Sequence, residues 1–446
     1  MMFRYQIDDR VPLRELITSG IMWSICSSIF VIIIASVVGN LYGFTLADTI
    51  WYTQKMLIIS GVAVILQVIF GHKLPVVFGP SVIFLTAVTA SADFSVDVLA
   101  TSIILCSVAG IIIARTKILE FVARLFTVRV IATVLMLLSI TLVPTFVRLL
   151  VNMDQPGGTA AKLAFAFVLL VCIIALNHRL KGFWRATLML WMLVLGTVAA
   201  FFCFPGTTLP FVDMSEQTQA FSGLFITPGF APGVFLSVFI CYLAVMVNDI
   251  GSVKSVVEVT GADPAQTEPR LRRALSITGV MNIISGAFGV IGGVNYSISS
   301  GMVLDTKNAS RYPLIAGGVL MIVCACIPTL IILIDSIPTV VTGCLLIFIM
   351  TTQLAAAFGV LAGRDDAPPM TFNGGVIIGF SLLIAATVAF LPAELVDTIP
   401  AVLRPVVANG FVAGTVAVMI LEHVIFRDTA SDKNDDDEIL KREERE

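Results

Sequence analysis

Charged residues are scarce in this sequence. Only 13% of its 446 residues are Asp, Glu, Lys or Arg, whereas 58% are hydrophobic and the mean hydropathy is +1.00. A chain with so few polar side chains cannot cover the surface of a water-soluble domain. The composition therefore predicts a polytopic membrane protein whose surroundings are a lipid bilayer.

Several motifs are missing as well. No GxxxxGKS or GxxxxGKT loop occurs, which disfavours transport driven by ATP. All eight cysteines lie in apolar runs, without a CxxC pair or a neighbouring histidine, so we expect buried thiols and neither disulfides nor a metal site. The net charge is −3 and no long basic run is present, which argues against a nucleic-acid partner. We expect no cofactor and no enzyme activity.

Apolar segments follow one another along the whole chain. A helix needs about 20 apolar residues to cross the hydrocarbon, and most of the segments approach this length. Fourteen are counted, at about 17–39, 54–70, 79–91, 97–114, 127–150, 162–177, 184–204, 233–257, 272–290, 296–305, 312–334, 338–360, 373–392 and 399–425. The third and the tenth are too short to span a bilayer as a helix.

The two short segments are seven apart, which divides the chain into two sets of seven. An odd number of spans in each repeat inverts the second repeat relative to the first. We therefore predict an all-α polytopic membrane protein with 14 transmembrane segments in two inverted 7-segment repeats. The expected parts are residues 1–16 (cytoplasmic N-terminus), 17–204 (first repeat), 205–232 (external loop), 233–425 (second repeat) and 426–446 (cytoplasmic tail).

The distribution of basic residues orients these segments. If both termini are cytoplasmic, 23 of the 27 Lys and Arg residues fall on the cytoplasmic side. The four exceptions are Lys55, Arg148, Lys162 and Arg404. Basic residues concentrate in cytoplasmic loops of membrane proteins, so the sequence predicts a multi-pass protein of the cell inner membrane with both termini inside.

The short segments, Leu74–Ala90 and Gly292–Thr306, each open with an extended, glycine-bearing stretch: LPVVFGPS in the first and GGVNYSISSG in the second. Discontinuous spans at corresponding positions of two repeats indicate the binding site of a transporter. Irregular backbone inside a membrane is tolerated only against protein or a water-filled cavity. The hydroxyls around Tyr296 and Ser299 are therefore expected to line a cavity, although hydroxyls can also join helices.

Asp249 is the one ionisable residue embedded in the middle of a predicted span. Ionisable residues inside spans are expensive and usually functional. Burial disfavours the charged carboxylate, so this side chain suits a group that takes up and releases a proton. The alternative is a structural pair with Lys254 or with an arginine at the inner end. The histidines, His72, His178 and His423, stand near inner span ends, and we expect interfacial positions for them.

These groups together predict a pocket for a small, planar, polar solute that is neutral or weakly acidic. Two half-helix N-termini supply free N–H groups and the positive ends of helix dipoles. A sugar would call for more carboxylate and amide partners, and a hydrophobic drug would need fewer hydroxyls. Transport is expected to be driven by an ion gradient or to be passive.

Six stretches between about Tyr5 and His423 carry a family resemblance. They read RYQIDDRVPLRELITSGIMW, GHKLPVVFGPSVIFL, RLFTVRVIATVLML, NDIGSVKSVVEVTG, NYSISSGMVLDTK and LRPVVANGFVAGTVAVMILEH. In this order and spacing they resemble the nucleobase/ascorbate transporters, the uracil and xanthine permease family. The resemblance implies a core domain of spans 1–4 and 8–11 that holds the substrate and a gate domain of spans 5–7 and 12–14. It also implies a homodimer, symport with a proton or sodium ion, and a strand at the start of spans 3 and 10.

The resemblance also implies site residues. Substrate contacts of the family fall on Ser81 and Val82 of the third span, on Asn248 of the eighth, and on Tyr296, Ser297, Ile298 and Ser299 of the tenth. Gly301, Thr306 and Lys307 fit the signature of the tenth span.

Four positions depart from the family's usual pattern. The family usually has Glu at the position of Asn248, a Gln, Glu or Pro followed by Asn at Ile298 and Ser299, and often Gln at Met22. Asp249 lies one residue, about 100° of helix, from the usual acidic position. Either Asp249 takes over this role through a local helix rotation, or ion coupling differs here.

The function expected from the sequence is secondary active import of a purine or pyrimidine base, with Asp249 as the proton-coupling residue and alternating access as the mechanism. One alternative keeps the fold and carries an inorganic or carboxylate anion. The other is a passive channel or a sensor.

Overall fold

The computed structural model describes residues 3–152, 157–204, 226–327, 337–362 and 371–426. Most of the expected external loop, the end of the predicted eleventh span and the expected cytoplasmic tail lie outside these ranges. The described part of the chain is dominated by helices. It also contains a pair of short strands in its interior.

Ten helices and one strand make up the described residues of the first half of the chain. Helix α1 begins at Leu13, four residues before the predicted span, and ends at Gly43 in the left-handed conformation (φ 62°). A capping box between Thr45 and Asp48 then starts α2. In chain order the elements are α1 (Leu13–Tyr42), α2 (Leu46–Ile69), β1 (Phe78–Pro80), α3 (Val82–Ala90), α4 (Val96–Arg115), α5 (Ile118–Leu125), α6 (Val128–Thr141), α7 (Val143–Leu150), α8 (Thr159–Arg179), α9 (Phe183–Ala186) and α10 (Leu188–Cys203).

The second half of the described chain repeats the motif of a strand followed by a short helix. Its elements are α11 (Pro232–Thr260), a 3-10 turn (Pro264–Gln266), α12 (Thr267–Ala287), β2 (Gly293–Asn295), α13 (Ile298–Thr306), α14 (Tyr312–Ala325), α15 (Thr339–Ala362), α16 (Phe372–Ala389), α17 (Ala393–Thr398), α18 (Arg404–Val407), α19 (Gly410–Ile420) and a π-helical turn (Leu421–Ile425). The predicted fourteenth span is thus broken into α18, α19 and the π-helical turn.

Eight helical segments in the described residues are long and apolar enough to cross a membrane. They are Leu13–Tyr42, Leu46–Ile69, Val96–Arg115, Val128–Leu150, Thr159–Arg179, Pro232–Thr260, Thr339–Ala362 and Phe372–Ala389. Three shorter apolar helical stretches accompany them, at Leu188–Cys203, Tyr312–Ala325 and Gly410–Ile425. The predicted fifth span is a pair of helices, α6 and α7, separated at Leu142.

The helices form two packing groups. In the first group, α1 and α2 pack against α14, and α4 packs against α11 and α12. The strands belong to this group, since β1 contacts α1 and α2 whereas β2 contacts α11 and α12. In the second group, α6 packs against α15, α16 and α19, and α15 also contacts α7, α8 and α10. Contacts between the groups are fewer and include α3 with α6 and α11 with α18 and α19.

The first group has two distinguishable ends. The basic face is defined here as the end at which Arg4, Arg270, Arg272 and Arg311 lie. Arg4 donates its backbone N–H to the Lys307 carbonyl, and Arg272 donates to the carbonyls of Ala114 and Thr116. Helix α1, whose 30 residues extend about 45 Å, leads from this face to the opposite face.

Candidate functional site

Strands β1 and β2 meet as an antiparallel pair, with Phe78 opposite Asn295 and Pro80 opposite Gly293. Backbone hydrogen bonds extend the pairing on both sides: the Ser81 N–H donates to the Gly292 carbonyl, and the Tyr296 N–H donates to the Val77 carbonyl, each at 2.9 Å. Helices α3 and α13 begin directly after the two strands. The two short segments predicted from the sequence therefore meet in the interior of the protein.

Tyr296 ties the two strands together through its side chain. Its hydroxyl donates to the Pro80 carbonyl at 2.8 Å, and its ring packs on Phe30 with 4.4 Å between centroids. Gly79 makes room for this ring, since a Cβ at position 79 would lie 2.4 Å from the Tyr296 hydroxyl and 2.8 Å from Oγ of Ser27. The tyrosine hydroxyl is thus engaged by the backbone of the other short segment.

Ser299 makes a second link between the segments. Its Oγ accepts a hydrogen bond from the Val77 N–H at 3.1 Å and donates to the Tyr296 carbonyl at 2.7 Å. The side chain of Ser299 is fully buried. Two of the four hydroxyls that the resemblance assigns to substrate contact, those of Tyr296 and Ser299, therefore hold the strand pair in this structure.

The remaining predicted residues stand at the helix starts. Ser81 precedes α3 in an extended conformation, and its Oγ is buried with no hydrogen-bond partner among the described residues. Val82 follows as the first residue of α3 and is 7% exposed. Ser297 and Ile298, at the start of α13, are half-buried. The first N–H groups of a helix have no acceptor within it. At α13 those of Ser299 and Ser300 donate to the carbonyls of Tyr296 and Ser297, so the start of α3 is better placed to donate to a ligand.

Helix α11 places three polar side chains against β2, and all of them bind Asn295. Oδ1 of Asp249 accepts the backbone N–H of Asn295 at 2.6 Å and its side-chain amide at 2.9 Å. The amide of Asn248 and the hydroxyl of Ser252 donate to the Asn295 carbonyl, at 3.2 Å and 2.8 Å. Asp249 is completely buried. Among the described residues Asp249 makes no ion pair with Lys254, whose side chain is exposed, or with an arginine, so the structure contradicts that alternative there.

Three further polar residues complete the surroundings of β2, and the sequence analysis did not select them. Asn282 of α12 exchanges two hydrogen bonds with the backbone of Gly293, at 2.6 Å and 3.1 Å. Oγ1 of Thr278 accepts from the side-chain amides of Gln67 and Asn295, at 3.0 Å and 3.3 Å. The sequence feature that could have identified them is an amide or hydroxyl side chain inside an otherwise apolar helix. Such a group is costly in a membrane unless it is hydrogen-bonded.

His72 corrects another expectation. Its side chain is fully buried, whereas the sequence analysis placed it at the interface. The segment from Gly71 to Val77 runs from the end of α2 into the protein toward β1, and it carries the imidazole inward. His178 and His423 do stand at helix ends, in the last turn of α8 and in the π-helical turn after α19.

A cavity with a volume of about 310 Å³ lies between the two packing groups, toward the opposite face. Thr86 and Thr89 of α3 line it from the first group, and Arg148, Arg404 and Asn409 line it from the second. Thr86 stands one helical turn beyond Val82, but none of the predicted site residues lines the cavity itself. Its lining mixes hydroxyls with charged side chains, which suits a polar solute.

Two ion pairs join the packing groups at their two ends. At the opposite face, Nη1 of Arg404 lies 2.8 Å from Oδ2 of Asp93, which follows α3. At the basic face, Nη1 of Arg185 lies 3.5 Å from Oδ1 of Asp305 in α13. Each ion pair therefore connects a half-helix segment, α3 or α13, to the other packing group. A relative movement of the groups would have to break or re-form these contacts.

Comparison with known proteins gives a consistent picture. Residues 14–394 match the model of the Permease family that covers xanthine and uracil permeases. The chain is 24% identical to the uric acid permease of Bacillus subtilis, with 87% of this chain and 88% of that protein aligned. It is also 24% identical to the xanthine permease of the same organism, over 88% of this chain and 90% of that one.

Solved structures share the fold. The transmembrane domain of a cyanobacterial bicarbonate transporter superposes with a TM-score of 0.57 at 14% identity, over 86% of this chain and 98% of that domain. At this identity the likeness concerns the arrangement of helices. It shows that the present chain has the architecture of a transporter's membrane domain.

Proposed function

Since this chain belongs to the Permease family of xanthine and uracil permeases, we propose that it is a secondary active transporter that imports a purine or pyrimidine base together with a proton. Members matched over most of their length are named for uric acid and xanthine. A purine base is a small, planar, polar and weakly acidic solute, the class predicted from the residues at the two short segments.

The pairing of β1 with β2 carries this proposal. It joins the start of α3, the start of α13 and the polar side chains of Asn248 and Asp249 into one hydrogen-bonded unit. Discontinuous helices that point their N-termini at a common site are how secondary transporters hold polar substrates. A planar base bound here could accept hydrogen bonds from backbone N–H groups and exchange others with side chains.

Roles can be proposed for the predicted site residues. Ser81 and Ser297 would hydrogen-bond the base from the two helix starts, and Asn248 would do so from α11. Val82 and Ile298 would cover the faces of the ring. Tyr296 and Ser299 would act as positioning residues, since their hydroxyls bind the Pro80 carbonyl and the Val77 N–H.

Asp249 would carry the coupled proton. Its carboxyl is buried, and Oδ2 has no hydrogen-bond partner among the described residues. Uptake of a proton would change the charge of a group that binds β2 through Asn295, and this would alter the strand pair that holds the substrate. Sodium is the other coupling ion that the resemblance allows, and carboxylate and amide oxygens suit it.

Alternating access would come from movement of the first packing group against the second. We propose that these groups are the core and gate domains, and that the chain has 14 spans in two inverted repeats with the basic face in the cytoplasm. The fewer contacts between the groups than within them support the division. A homodimer in the inner membrane remains a prediction from the family resemblance.

Thermal stabilisation of the purified protein by a panel of solutes tests the substrate class. We expect uracil, xanthine, guanine or urate to raise the Tm, whereas sulfate and bicarbonate leave it unchanged. Stabilisation by the anions alone would favour the anion transporter instead. Uptake of the stabilising base into proteoliposomes, saturable and accelerated by an inward proton gradient, would then exclude a passive channel or a sensor.

A further inference from the structure

His72 is held in a defined position next to the strand pair. It lies in the loop between α2 and β1, on the side of β2 that faces the basic face, yet its side chain is fully buried. The loop turns sharply at Lys73, which adopts a left-handed φ of 56° that non-glycine residues rarely adopt. Arg270 holds the turn by donating to the carbonyls of His72 and Lys73, at 2.7 Å and 3.1 Å.

The backbone selects one tautomer of this imidazole. The Leu74 N–H donates to Nδ1 of His72 at 3.0 Å, so Nδ1 is an acceptor and the proton of the neutral ring resides on Nε2. Burial lowers the pKa of His72 to about 3, and the nearby Arg270 and Arg311 act in the same direction. The ring is therefore neutral at physiological pH and presents an N–H donor at Nε2.

Asn295 carries a buried acceptor that suits this donor. The side chains of His72 and Asn295 interact, and Nε2 of one and Oδ1 of the other are both buried. Neither atom makes a hydrogen bond of ordinary geometry within the described part of the chain. A small movement that joins them would satisfy both atoms.

The orientation of the Asn295 side-chain amide decides whether an N–H group or an oxygen faces the Asp249 carboxylate. With Oδ1 toward His72, the amide nitrogen Nδ2 donates to Oδ1 of Asp249 at 2.9 Å and to Oγ1 of Thr278 at 3.3 Å. A reversed amide would turn its oxygen toward the carboxylate and remove a donor that stabilises the negative charge. The surrounding hydrogen bonds determine such orientations.

We propose that His72 is a positioning residue for proton coupling: as a neutral Nε2–H donor it holds the Asn295 amide so that its N–H groups face Asp249. This inference rests on the proposed function, in which Asp249 carries the proton. His72 thereby sets the pH range over which the carboxyl takes up its proton. Asp249 has no basic partner among the described residues, so its hydrogen-bond donors set the stability of its charge.

Other charged and titratable groups lie near His72, Asn295 and Asp249. Arg270 of α12 and Arg311 before α14 lie near His72. Arg311 is paired with Asp8 of the N-terminal segment at 2.8 Å. Tyr242, two turns earlier on α11, lies close enough to Asp249 to interact electrostatically. None of these groups forms a hydrogen bond or ion pair with Asp249 in the described ranges, where the carboxyl interacts with Asn295 and with the side chain of Thr278.

Two substitutions of His72 distinguish the role of Nδ1 as an acceptor from the role of Nε2 as a donor. In His72→Asn the side-chain oxygen can still accept a hydrogen bond from the Leu74 N–H, but the donor that Nε2 supplied to Asn295 is lost. In His72→Gln the amide nitrogen can replace Nε2 and donate to Asn295. Base uptake is measured against pH in proteoliposomes containing the full chain, with transporter content determined for each variant.

For His72→Asn we expect the pH of half-maximal uptake to rise by about one unit, because a charged carboxylate that loses a donor accepts a proton more readily. At acid pH the KM for the base should equal that of the wild type. His72→Gln should restore the wild-type midpoint. A midpoint in His72→Asn equal to that of a pH-dependent wild type would overturn the proposal.

A second measurement does not depend on transport or on the folding of a variant. In the wild-type protein labelled with ¹⁵N-histidine, NMR should show one buried imidazole that carries a proton on Nε2 and none on Nδ1 from about pH 5.5 to 8. A protonated Nδ1 at His72 would overturn the inference. Wild-type uptake that ignores pH would instead remove the proton coupling of the proposed function, while the tautomer would still be decided by NMR.

Discussion

Asp249 accepts both N–H groups of Asn295 on a single carboxylate oxygen, the backbone N–H at 2.6 Å and the side-chain amide at 2.9 Å. Asn295 is the last residue of β2 and is opposite Phe78 of β1. In the described part of the chain, the buried carboxyl in the middle of α11 is therefore hydrogen-bonded to the strand pair and paired with no basic side chain. Any change in its charge acts on the backbone that positions both half-helices.

Gly79→Ala tests the close contact within the strand pair. The added Cβ would lie 2.4 Å from the Tyr296 hydroxyl, which is buried and bound to Pro80. We expect a destabilisation of about 2 kcal/mol, a lower Tm in detergent and loss of base uptake. Gly301→Ala in α13 is the control, because a Cβ there meets nothing within 4 Å. Equal effects of the two substitutions would contradict the proposed packing.

Ser81→Ala and Ser299→Ala distinguish a substrate contact from a positioning contact. Oγ of Ser81 has no partner among the described residues, so its removal should leave the Tm unchanged and weaken base binding about fivefold, as expected for one hydrogen bond. Removal of the Ser299 hydroxyl leaves the buried Val77 N–H without its acceptor and should cost about 2 kcal/mol of stability. Melting curves with and without the base measure both effects, and a reversed pattern would refute the assignment.

Glu422→Gln tests an ion pair buried in the second packing group. Oε2 of Glu422 lies 2.9 Å from Nη1 of Arg129, and Thr127 donates to Oε1 at 2.9 Å. Both charged side chains are about nine-tenths buried, so removal of one charge should destabilise the protein by about 3 kcal/mol. Glu120→Gln, at an exposed pair with Arg272, should have almost no effect on the Tm.

Asp93→Asn removes the ion pair that joins the two groups at the proposed outer side. The Asp93 side chain is 58% exposed, so the pair with Arg404 contributes less than about 1 kcal/mol and the Tm should hardly change. The equilibrium between open and closed states should nevertheless shift about twofold toward opening. An impermeant thiol reagent should then label a Thr89→Cys side chain in the cavity faster, relative to the native cysteines.

The control for this experiment is Glu15→Gln, which removes an ion pair with Arg4 near the start of α1. It joins no residues of different packing groups and should leave the labelling rate unchanged. If Asp93→Asn also left the rate unchanged, the ion pair would not restrain movement of the groups.

The positions of the long helices and of the two short segments could be predicted from the sequence, because lipid demands about 20 apolar residues of each spanning helix. The glycine-bearing stretches at residues 74–90 and 292–306 indicated interrupted spans, and the family resemblance implied that each begins with a strand. The hydrogen-bond partners could not be predicted. Tyr296 and Ser299 bind backbone atoms of residues in the other half of the chain, and no local pattern reports such pairings.

His72 shows a second limit of sequence reasoning. A histidine two residues after an apolar helix is typical of an interfacial position, yet the loop that follows α2 turns inward to reach β1. Asn295 was likewise visible only as one of several polar residues in GGVNYSISSG. Its contacts with Asp249, Thr278 and His72 depend on how α11, α12 and this loop converge.

Uptake by Asp249→Asn tests the central claim most directly, with the base that stabilises the wild-type protein used as substrate in proteoliposomes of defined internal and external pH. The account predicts that an inward proton gradient accelerates wild-type uptake severalfold, whereas the variant still binds the base but does not respond to the gradient. Proton-driven uptake by Asp249→Asn at the wild-type rate would contradict it.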